Sequence, residues 1–256
     1  MKQILLILAG LNCTSTVAAG EFPHVVTPRG TPISVIAEFP TGTGPFPAVV
    51  LAPGQGYHMR LPALEKTAKS LTGNGIAVFR FNWAYFSASP KGTPSSDLAL
   101  EIEDMSAVVA AVKSDPRVRQ DYVWAAGKSL GSLVAWRVLA SDKSLRGGAF
   151  LTPVCSRAPD TKSTPVSEAE ENYPGLKTES RTLVFVLGDK DHLCSPPLLY
   201  KFLANSSGKT RVGVVGGDHG FENKARTGAA ATTALEGNLR VVADFITLAI
   251  SDASAP

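Results

Sequence analysis

The sequence predicts an α/β fold: a single domain with a mostly parallel central sheet flanked by helices. Short apolar runs of strand type alternate with longer amphipathic segments, which is typical of strand–helix–strand units around a parallel sheet. The chain has 256 residues, 44% of them hydrophobic, so it can bury one sizeable core. No internal repeat or low-complexity tract interrupts the alternation, and a single domain is expected.

The N-terminal segment, MKQILLILAGLNCTSTVAAG, has the layout of a secretory signal peptide. One lysine precedes an apolar run over residues 4–11, and small residues follow as far as Ala19. We predict a signal peptide over residues 1–19, a domain over residues 20–256, and a periplasmic or secreted location. The apolar run is too short for the about 20 residues that span a bilayer, so no stable membrane span is expected after cleavage. The alternative is a buried first strand.

The rest of the chain divides into predicted strands and helices. Strands are predicted over residues 33–39, 48–52, 76–81, 122–126, 148–152, 182–187 and 211–215. Helices are predicted over residues 61–71, 98–113, 130–140, 197–204 and 235–250. Residues 156–180 break this alternation because they are polar, rich in Pro, Ser and Glu, and without a sustained apolar period. We expect a short polar insertion there instead of a large cap: an exposed insertion, a short cap, or a partly disordered segment.

Charge and composition exclude some classes of function. The chain has 25 Lys and Arg against 22 Asp and Glu, a net charge of +3, and its basic residues are scattered. We therefore expect no nucleic-acid partner.

The stretch AAGKSLGS, over residues 125–132, fits the end of a phosphate-binding loop and also the pattern G-x-S-x-G. A phosphate-binding loop needs glycine five residues before Gly127, where this chain has Tyr122. The second pattern requires a strand, a turn with small residues two before and two after the serine, and then a helix. The predicted strand 122–126, Gly127, Gly131 and the predicted helix 130–140 meet that requirement, so Ser129 is the candidate nucleophile.

A serine nucleophile on this kind of turn needs an acid and then a histidine further along the chain. Asp189 and Asp191 follow the predicted strand 182–187, and His219 follows the predicted strand 211–215 within a glycine-rich loop. All lie at carboxyl ends of strands, where open α/β sheets bind ligands. His58, Asp191 and His219 lack the spacing of metal ligands, so no metal is expected.

These residues resemble the α/β-hydrolases: the stretches G-K-S-L-G, G-D-K-D and D-H-G-F of this chain stand where that fold carries its nucleophile, acid and histidine. A narrower likeness, in LAPGQG at 51–56, RFNWAY at 80–85 and GKS at 127–129, is to the Tex30 and KANL3 type of domain, close to the dienelactone hydrolases. The resemblance implies Ser129 as nucleophile, His219 as base and Asp191 as acid, with Asp189 as the rival acid.

The same resemblance implies an oxyanion hole formed by the backbone N–H groups of Gln55 and Leu130. Pro53 stands where the family usually has histidine, and the Pro-Gly-Gln-Gly stretch can also be read as a tight turn only. Trp83 and Tyr85 are expected to line a substrate pocket or, alternatively, to be ordinary packing. Lys128 is expected as a solvent-facing turn residue.

Cys155 and Cys194 are predicted to form a disulfide. They follow the predicted strands 148–152 and 182–187, which are neighbours in the α/β-hydrolase strand order, and adjacent strand ends can meet the Cα separation of about 4.4 to 6.8 Å that a disulfide needs. The alternative is two unrelated buried thiols.

The predicted function is an exported serine hydrolase that cleaves an ester or related acyl bond through an acyl-enzyme. Its partner is a small-molecule acyl substrate, and no cofactor is implied. The alternatives are a non-catalytic protein of the same fold that binds a ligand or partner, and a small peptidase. The sequence indicates no oligomeric state.

Overall fold

The computed structural model describes residues 19–156 and 165–253, and its centre is one eight-stranded sheet in the order β1-β2-β4-β3-β5-β6-β7-β8. The strands β3 to β8 run parallel to one another, while β2 is antiparallel to both β1 and β4. Their bounds are β1 Ala19–Val26, β2 Pro32–Glu38, β3 Phe46–Ala52, β4 Ala77–Phe81, β5 Val118–Lys128, β6 Gly147–Leu151, β7 Thr182–Gly188 and β8 Thr210–Val215.

Helices cover both faces of this sheet. They are α1 Pro62–Gly73, α2 Ala84–Ala88, α3 Ala99–Ser114, α4 Leu130–Ser141, α5 Pro165–Asn172, α6 Pro196–Leu203 and α7 Gly228–Asp252, with a 3₁₀ turn over Leu176–Thr178. The helices α1 and α7 pack on one face, and α3, α4 and α6 pack on the other. This two-layer covering explains why the inner strands are apolar on both faces.

The inner strand β5 shows how alternation builds the two cores. Val123 and Ala125 face the core under α3 and α4, whereas Trp124 and Ala126 face the core under α1 and α7. Both sets are fully buried because helices cover both faces of the sheet. The strand thereby brings its carboxyl end, and the residues after it, to the middle of the sheet edge.

All seven predicted strands and all five predicted helices are present, with shifted ends. The strand β1 was missed because its alternation is broken: the pairing with β2 shifts between Phe22 and Val25, where His24 has a φ of 50°. The helix α7 begins seven residues before the predicted start because its first turns, GAAATTA, carry no apolar period. The short α2 was also missed.

The segment 156–180 is less exposed than expected. Its described part, from residue 165 onward, contains α5 and the 3₁₀ turn, and Ala169, Tyr173 and Leu176 are buried in the core under α4. The Nε1 of Trp136 donates to the carbonyl of Pro174 at 3.1 Å. Of the alternatives for this segment, the exposed insertion is therefore wrong for the described part, because three well-spaced apolar side chains anchor it in the core. Residues 157–164 lie outside the described residues.

The predicted signal peptide also lies outside the described residues, apart from Ala19, the first residue of β1. Within residues 19–156 and 165–253, no helix combines the length and the apolar character needed to cross a bilayer.

Candidate active site

The candidate site lies where β3, β5, β7 and β8 end along one edge of the sheet. These strands are parallel, so the loops that follow them meet at that edge. The loop after β3 carries Gln55, the turn after β5 carries Ser129, the loop after β7 carries Asp191, and the loop after β8 carries His219. The topology therefore gathers residues that are up to 164 positions apart in sequence.

The turn at Ser129 is tight and strained. Ser129 has φ 54° and ψ −121°, a region that residues with a side chain rarely occupy. A Cβ on Gly127 would lie 2.1 Å from the carbonyl oxygen of Gly131, and a Cβ on Gly131 would lie 2.6 Å from the carbonyl oxygen of Ala52. Glycine is thus required on both sides of the serine, which explains the G-x-S-x-G pattern sterically.

Three side chains form a continuous hydrogen-bonded line in this site. The Ser129 Oγ lies 2.9 Å from Nε2 of His219. The Nδ1 of His219 lies 2.9 Å from both carboxylate oxygens of Asp191. With the ring proton on Nδ1, the imidazole donates to the carboxylate and its Nε2 accepts from the serine hydroxyl. This is the arrangement of nucleophile, base and orienting acid.

The two candidate acids have different surroundings. Asp191 is 2% exposed, and its Oδ1 also accepts the backbone N–H of Leu193 at 2.9 Å. Asp189 is exposed, and its Oδ1 accepts the backbone N–H of Gly217 at 2.7 Å. Asp189 therefore fastens the loop after β8 to the loop after β7, whereas Asp191 contacts the imidazole of His219.

The loop that carries His219 is fixed by its own hydrogen bonds. Asp218 Oδ1 accepts the backbone N–H groups of Gly220 and Glu222 at 2.8 and 3.1 Å. Asn238 of α7 donates to the carbonyl of Phe221, a fully buried residue with φ 64°. These contacts restrain the loop and favour an imidazole that is already oriented before any substrate arrives.

A pocket of about 430 Å³ opens beside Ser129. Its size lies within the range of small-molecule sites, about 300 to 1,000 Å³. Among the residues that the structure describes, the side chains that line it are all uncharged: Gln55, Thr93, Pro94, Ser95, Ser96, Leu98, Ser129, Leu130, Leu133, Val154 and Leu193.

The two predicted oxyanion donors lie in this pocket wall with the serine. Leu130 is the first residue of α4, so its N–H belongs to the N-terminal turn, where no intrahelical acceptor exists. Gln55 lies in the loop after β3, which approaches the nucleophile closely: a Cβ on Gly54 would be 3.3 Å from the Cβ of Ser129. Both backbone groups therefore border the space in front of the serine.

Neither predicted aromatic pocket residue lines this pocket. Trp83 is fully buried, and its Nε1 donates to the carbonyl of Pro53 at 3.1 Å. This hydrogen bond supports the loop after β3 from the protein interior, and Trp83 has no exposed surface for a substrate. Tyr85 is half-buried beside it, and burial raises the pKa of its hydroxyl to about 12. Trp83 thus matches the alternative of ordinary packing, and Tyr85 lies outside the lining of this pocket, which the loop 93–98 forms instead.

Lys128 is also placed differently from the expectation. It is 1% exposed, and its Nζ donates to the carbonyl oxygen of His219 at 2.9 Å and lies 4.8 Å from the ring centroid of Tyr57. Burial lowers its pKa to about 8, although Asp191, Asp218 and Glu222 act in the opposite direction. The sequence did contain a signal: strand alternation places Lys128 on the same buried face as Trp124 and Ala126.

Cys155 and Cys194 are joined by a disulfide, with Cα atoms 4.8 Å apart. The backbone N–H groups of Cys155 and Ser156 both donate to the carbonyl of Leu193, at 3.0 and 2.9 Å. The bond and these contacts connect the loop after β6 to the loop that carries Asp191. Elsewhere in the site, the described residues hold no cluster of three or more His, Cys, Asp or Glu side chains arranged for a metal ion.

Residues 46–247 match the sequence profile of a family described as an alpha/beta hydrolase domain. The fold is similar to that of an alpha-beta serine hydrolase homologue from Coxiella burnetii, with a TM-score of 0.65 and 19% identity over 90% of this chain and 97% of that chain. The fold is also similar to that of esterase Est22, with a TM-score of 0.66 and 16% identity over 94% of this chain and 82% of that chain. A dienelactone hydrolase from Anabaena variabilis has a similar fold, with a TM-score of 0.64 and 14% identity over 89% of this chain and 97% of that chain. The comparison with curated protein sequences gave no match.

Proposed function

The chain belongs to the alpha/beta hydrolase family, and from this we propose that it is a serine hydrolase that cleaves a carboxylic ester through an acyl-enzyme on Ser129. The observation that carries the proposal is the line of hydrogen bonds from Ser129 Oγ through His219 to Asp191, each at 2.9 Å. A protein of this fold that only bound a ligand would have no need for this aligned set.

In the first half of the reaction, Ser129 Oγ attacks the carbonyl carbon of the ester. His219 Nε2 accepts the hydroxyl proton, and Asp191 stabilises the imidazolium that forms. The backbone N–H groups of Leu130 and Gln55 donate to the oxyanion of the tetrahedral intermediate. His219 then gives its proton to the leaving alkoxide, and the acyl group remains on Ser129.

In the second half, water replaces the alcohol. His219 Nε2 takes a proton from the water molecule as its oxygen attacks the acyl carbon, and the same two N–H groups hold the second oxyanion. Collapse of the intermediate breaks the bond to Ser129 Oγ, which regains its proton from His219. The products are a carboxylic acid and an alcohol, and the protein returns to its starting state.

The pocket supports an uncharged substrate of modest size. Leu130, Leu133, Val154 and Leu193 give it an apolar part, and the loop 93–96 adds hydroxyl groups. An anionic substrate would be buried here against described side chains that carry no charge, and none of these side chains would offset the cost of its desolvation. We therefore expect the greatest activity on neutral esters with short acyl chains.

The proposal includes export. The segment over residues 1–19 has the pattern of a signal peptide, and a pair of cysteines positioned for a disulfide suits an oxidising compartment. Expression of the full chain in a bacterial host, followed by N-terminal sequencing of the periplasmic fraction, tests this part. A mature N-terminus near Gly20 is expected, and an intact N-terminus in the cytoplasm would contradict export.

Two measurements test the catalytic proposal. A fluorophosphonate probe should label wild-type protein at Ser129 and should leave Ser129→Ala unlabelled. A series of p-nitrophenyl esters from acetate to dodecanoate should then show turnover that falls with chain length. If the wild-type protein is folded but neither labels nor turns over any ester, the non-catalytic binding protein becomes the better description. Turnover of peptides in preference to esters would indicate a peptidase.

A further inference from the structure

The buried ammonium of Lys128 lies behind the candidate site and takes no part in the reaction described above. Its side chain projects from the end of β5 toward the face of the sheet covered by α1 and α7, and it is 1% exposed. Its hydrogen bond is to the backbone carbonyl oxygen of His219, at 2.9 Å. Lys128 is thus adjacent to the nucleophile in sequence and in contact with the proposed base in space.

Placing a charged amine there is costly. A buried ammonium loses its hydration, and the cost is recovered only by good pairing with acceptors or opposite charge. Among residues 19–156 and 165–253 no carboxylate forms a salt bridge with Lys128, so one carbonyl oxygen and the face of the Tyr57 ring are its close polar contacts. An apolar side chain such as methionine would fill this space at lower cost, so stability does not explain the lysine.

The acceptor of this hydrogen bond indicates what the lysine does. The carbonyl belongs to His219 itself, so fixing it restricts the backbone from which the imidazole projects. The ring must span between Ser129 Oγ and Asp191, and misplacement by about 1 Å can cost on the order of 100-fold in rate. An ion-to-carbonyl hydrogen bond is stronger than a neutral one and is suited to this restraint.

We propose that Lys128 is a positioning residue whose ammonium holds the carbonyl of His219 and thereby keeps the imidazole in line between Ser129 and Asp191. The inference rests on the proposed serine-hydrolase function. It adds to Ser129, His219 and Asp191 a residue that contacts neither substrate nor reacting atoms.

The groups that face Lys128 determine its dependence on pH. Tyr57 faces it from the loop after β3, Asp191 from the loop after β7, and Asp218, His219 and Glu222 from the loop after β8. Burial lowers the pKa of Lys128 to about 8 against the opposing effect of the three carboxylates. Burial raises the pKa of Tyr57 above its usual value, so that ring stays neutral in this range. Lys128 is therefore charged at neutral pH and loses its charge as the pH rises past about 8.

Three variants test the proposal. Lys128→Met removes the charge and the donors while keeping the chain length. Lys128→Arg keeps both charge and donors and serves as the conservative rescue. Lys69→Met makes the same chemical change at an exposed position of α1 and is the matched control. For each, we would measure kcat and KM for p-nitrophenyl acetate from pH 6 to 9.5, the rate of fluorophosphonate labelling, and the thermal unfolding temperature.

For Lys128→Met we expect kcat and the labelling rate to fall about 100-fold with KM within about threefold of wild type. Wild-type kcat should decline as the pH rises past about 8, and this decline should be absent from Lys128→Met and from Lys128→Arg. Lys128→Arg should recover part of the lost kcat, and Lys69→Met should match wild type throughout.

The outcomes separate the two proposals. If wild-type protein neither labels nor hydrolyses esters, the serine-hydrolase function fails and the role of Lys128 falls with it. If wild-type protein is active and Lys128→Met has the same kcat, only the positioning role is wrong. An alkaline decline that persists in Lys128→Met would also overturn it, because the titrating group would be another residue. If Lys128→Met does not fold, the comparison of wild type with Lys128→Arg above pH 8 decides in the same way.

Discussion

The turn at Ser129 and the segment over residues 165–180 meet at one hydrogen bond, 2.8 Å long, between Ser132 and Tyr173. The turn is held by backbone contacts that leave no room for a side chain at Gly127 or Gly131. The segment is held by a few side chains, chiefly Tyr173 and Leu176, that enter the core from a polar stretch.

This difference between the two regions indicates that the turn serves mainly reactivity and the segment mainly stability. The turn stores backbone strain at a reactive side chain, which native packing must support from elsewhere. Part of that support comes from the neighbouring segment, because the Tyr173 hydroxyl also accepts the backbone N–H of Val154, a pocket residue, at 3.0 Å. Removal of the reactive side chain of Ser129 should therefore abolish turnover without unfolding the protein, whereas changes in the segment should lower the stability and leave turnover largely intact.

The largest expected effect is loss of turnover on replacing Ser129 or His219 by alanine. Either change removes a member of a set that acts as one unit, so kcat should fall by about 10⁴-fold or more. The free energy of unfolding should change by less than about 1 kcal/mol for Ser129→Ala, which leaves no cavity in the core. His219→Ala also removes a partner of the buried Asp191 carboxylate and should cost about 1 to 3 kcal/mol. Ester hydrolysis and urea denaturation measure the two effects. Near-wild-type turnover in either variant would remove the basis of the mechanism.

The second effect distinguishes the two aspartates. Asp191→Asn should lower kcat by about 10⁴-fold, because the amide cannot both orient the imidazole and stabilise the imidazolium. Asp189→Asn keeps an acceptor for the N–H of Gly217 and should retain kcat within about tenfold. Steady-state kinetics of the two purified variants provides the comparison, and the reverse order of damage would make Asp189 the acid.

The third effect concerns the disulfide that encloses the 165–180 segment. Cys155 and Cys194 are 39 positions apart, and closing a loop of that size contributes about 3 to 4 kcal/mol in the chain-entropy model. The double variant Cys155→Ala/Cys194→Ala should lose stability of that order and keep most of its kcat. Intact mass after alkylation without reductant first establishes the bond in exported protein. Two alkylated thiols in that experiment would show that the bridge does not form.

The smallest effect is expected at the contact between the two regions. Tyr173→Phe removes a buried hydroxyl and leaves the N–H of Val154 without its partner, which should cost about 1 to 3 kcal/mol. The activity should change little, since the hydroxyl contacts no reacting group. Chemical denaturation with parallel kinetics measures both. A large loss of kcat at unchanged stability would show that the segment shapes the pocket directly.

Sequence reasoning was most successful where the constraint is local. The strand, glycine, serine, glycine and helix around Ser129 are consecutive, and steric exclusion at Gly127 and Gly131 fixes their identity. The rule that parallel strands end at one edge brought Asp189, Asp191 and His219 together, and the preference for Asp191 came from the resemblance to the α/β-hydrolases. The fold class required only the alternation of apolar periods.

The residues whose surroundings the sequence did not predict are those that contact distant parts of the chain. Trp83 is buried because the carbonyl of Pro53 gives its indole N–H a partner, and no local pattern contains that pairing. Tyr173 lies in a polar stretch and finds its partners in Ser132 and Val154. For Lys128 the alternation of β5 did indicate burial, but its charge suggested solvent, and the tertiary acceptor on His219 resolved the conflict.

The depressed pKa of Lys128 links protonation to folding. In the unfolded chain the amine should ionise near its ordinary value, so between about pH 8 and about 10.5 the unfolded state binds a proton that the folded state does not. The free energy of unfolding should therefore rise with pH across this interval, as the penalty for a buried charge is relieved. Urea denaturation of wild type and Lys128→Met at several pH values would show this rise in wild type only.

Turnover should decline over the same interval in which the protein becomes harder to unfold. The pH that best preserves this protein in storage and the pH at which it works fastest should then differ, because loss of the proton from Lys128 raises the stability and lowers the turnover. A screen that selected variants for heat resistance alone would favour loss of that charge, and with it loss of rate.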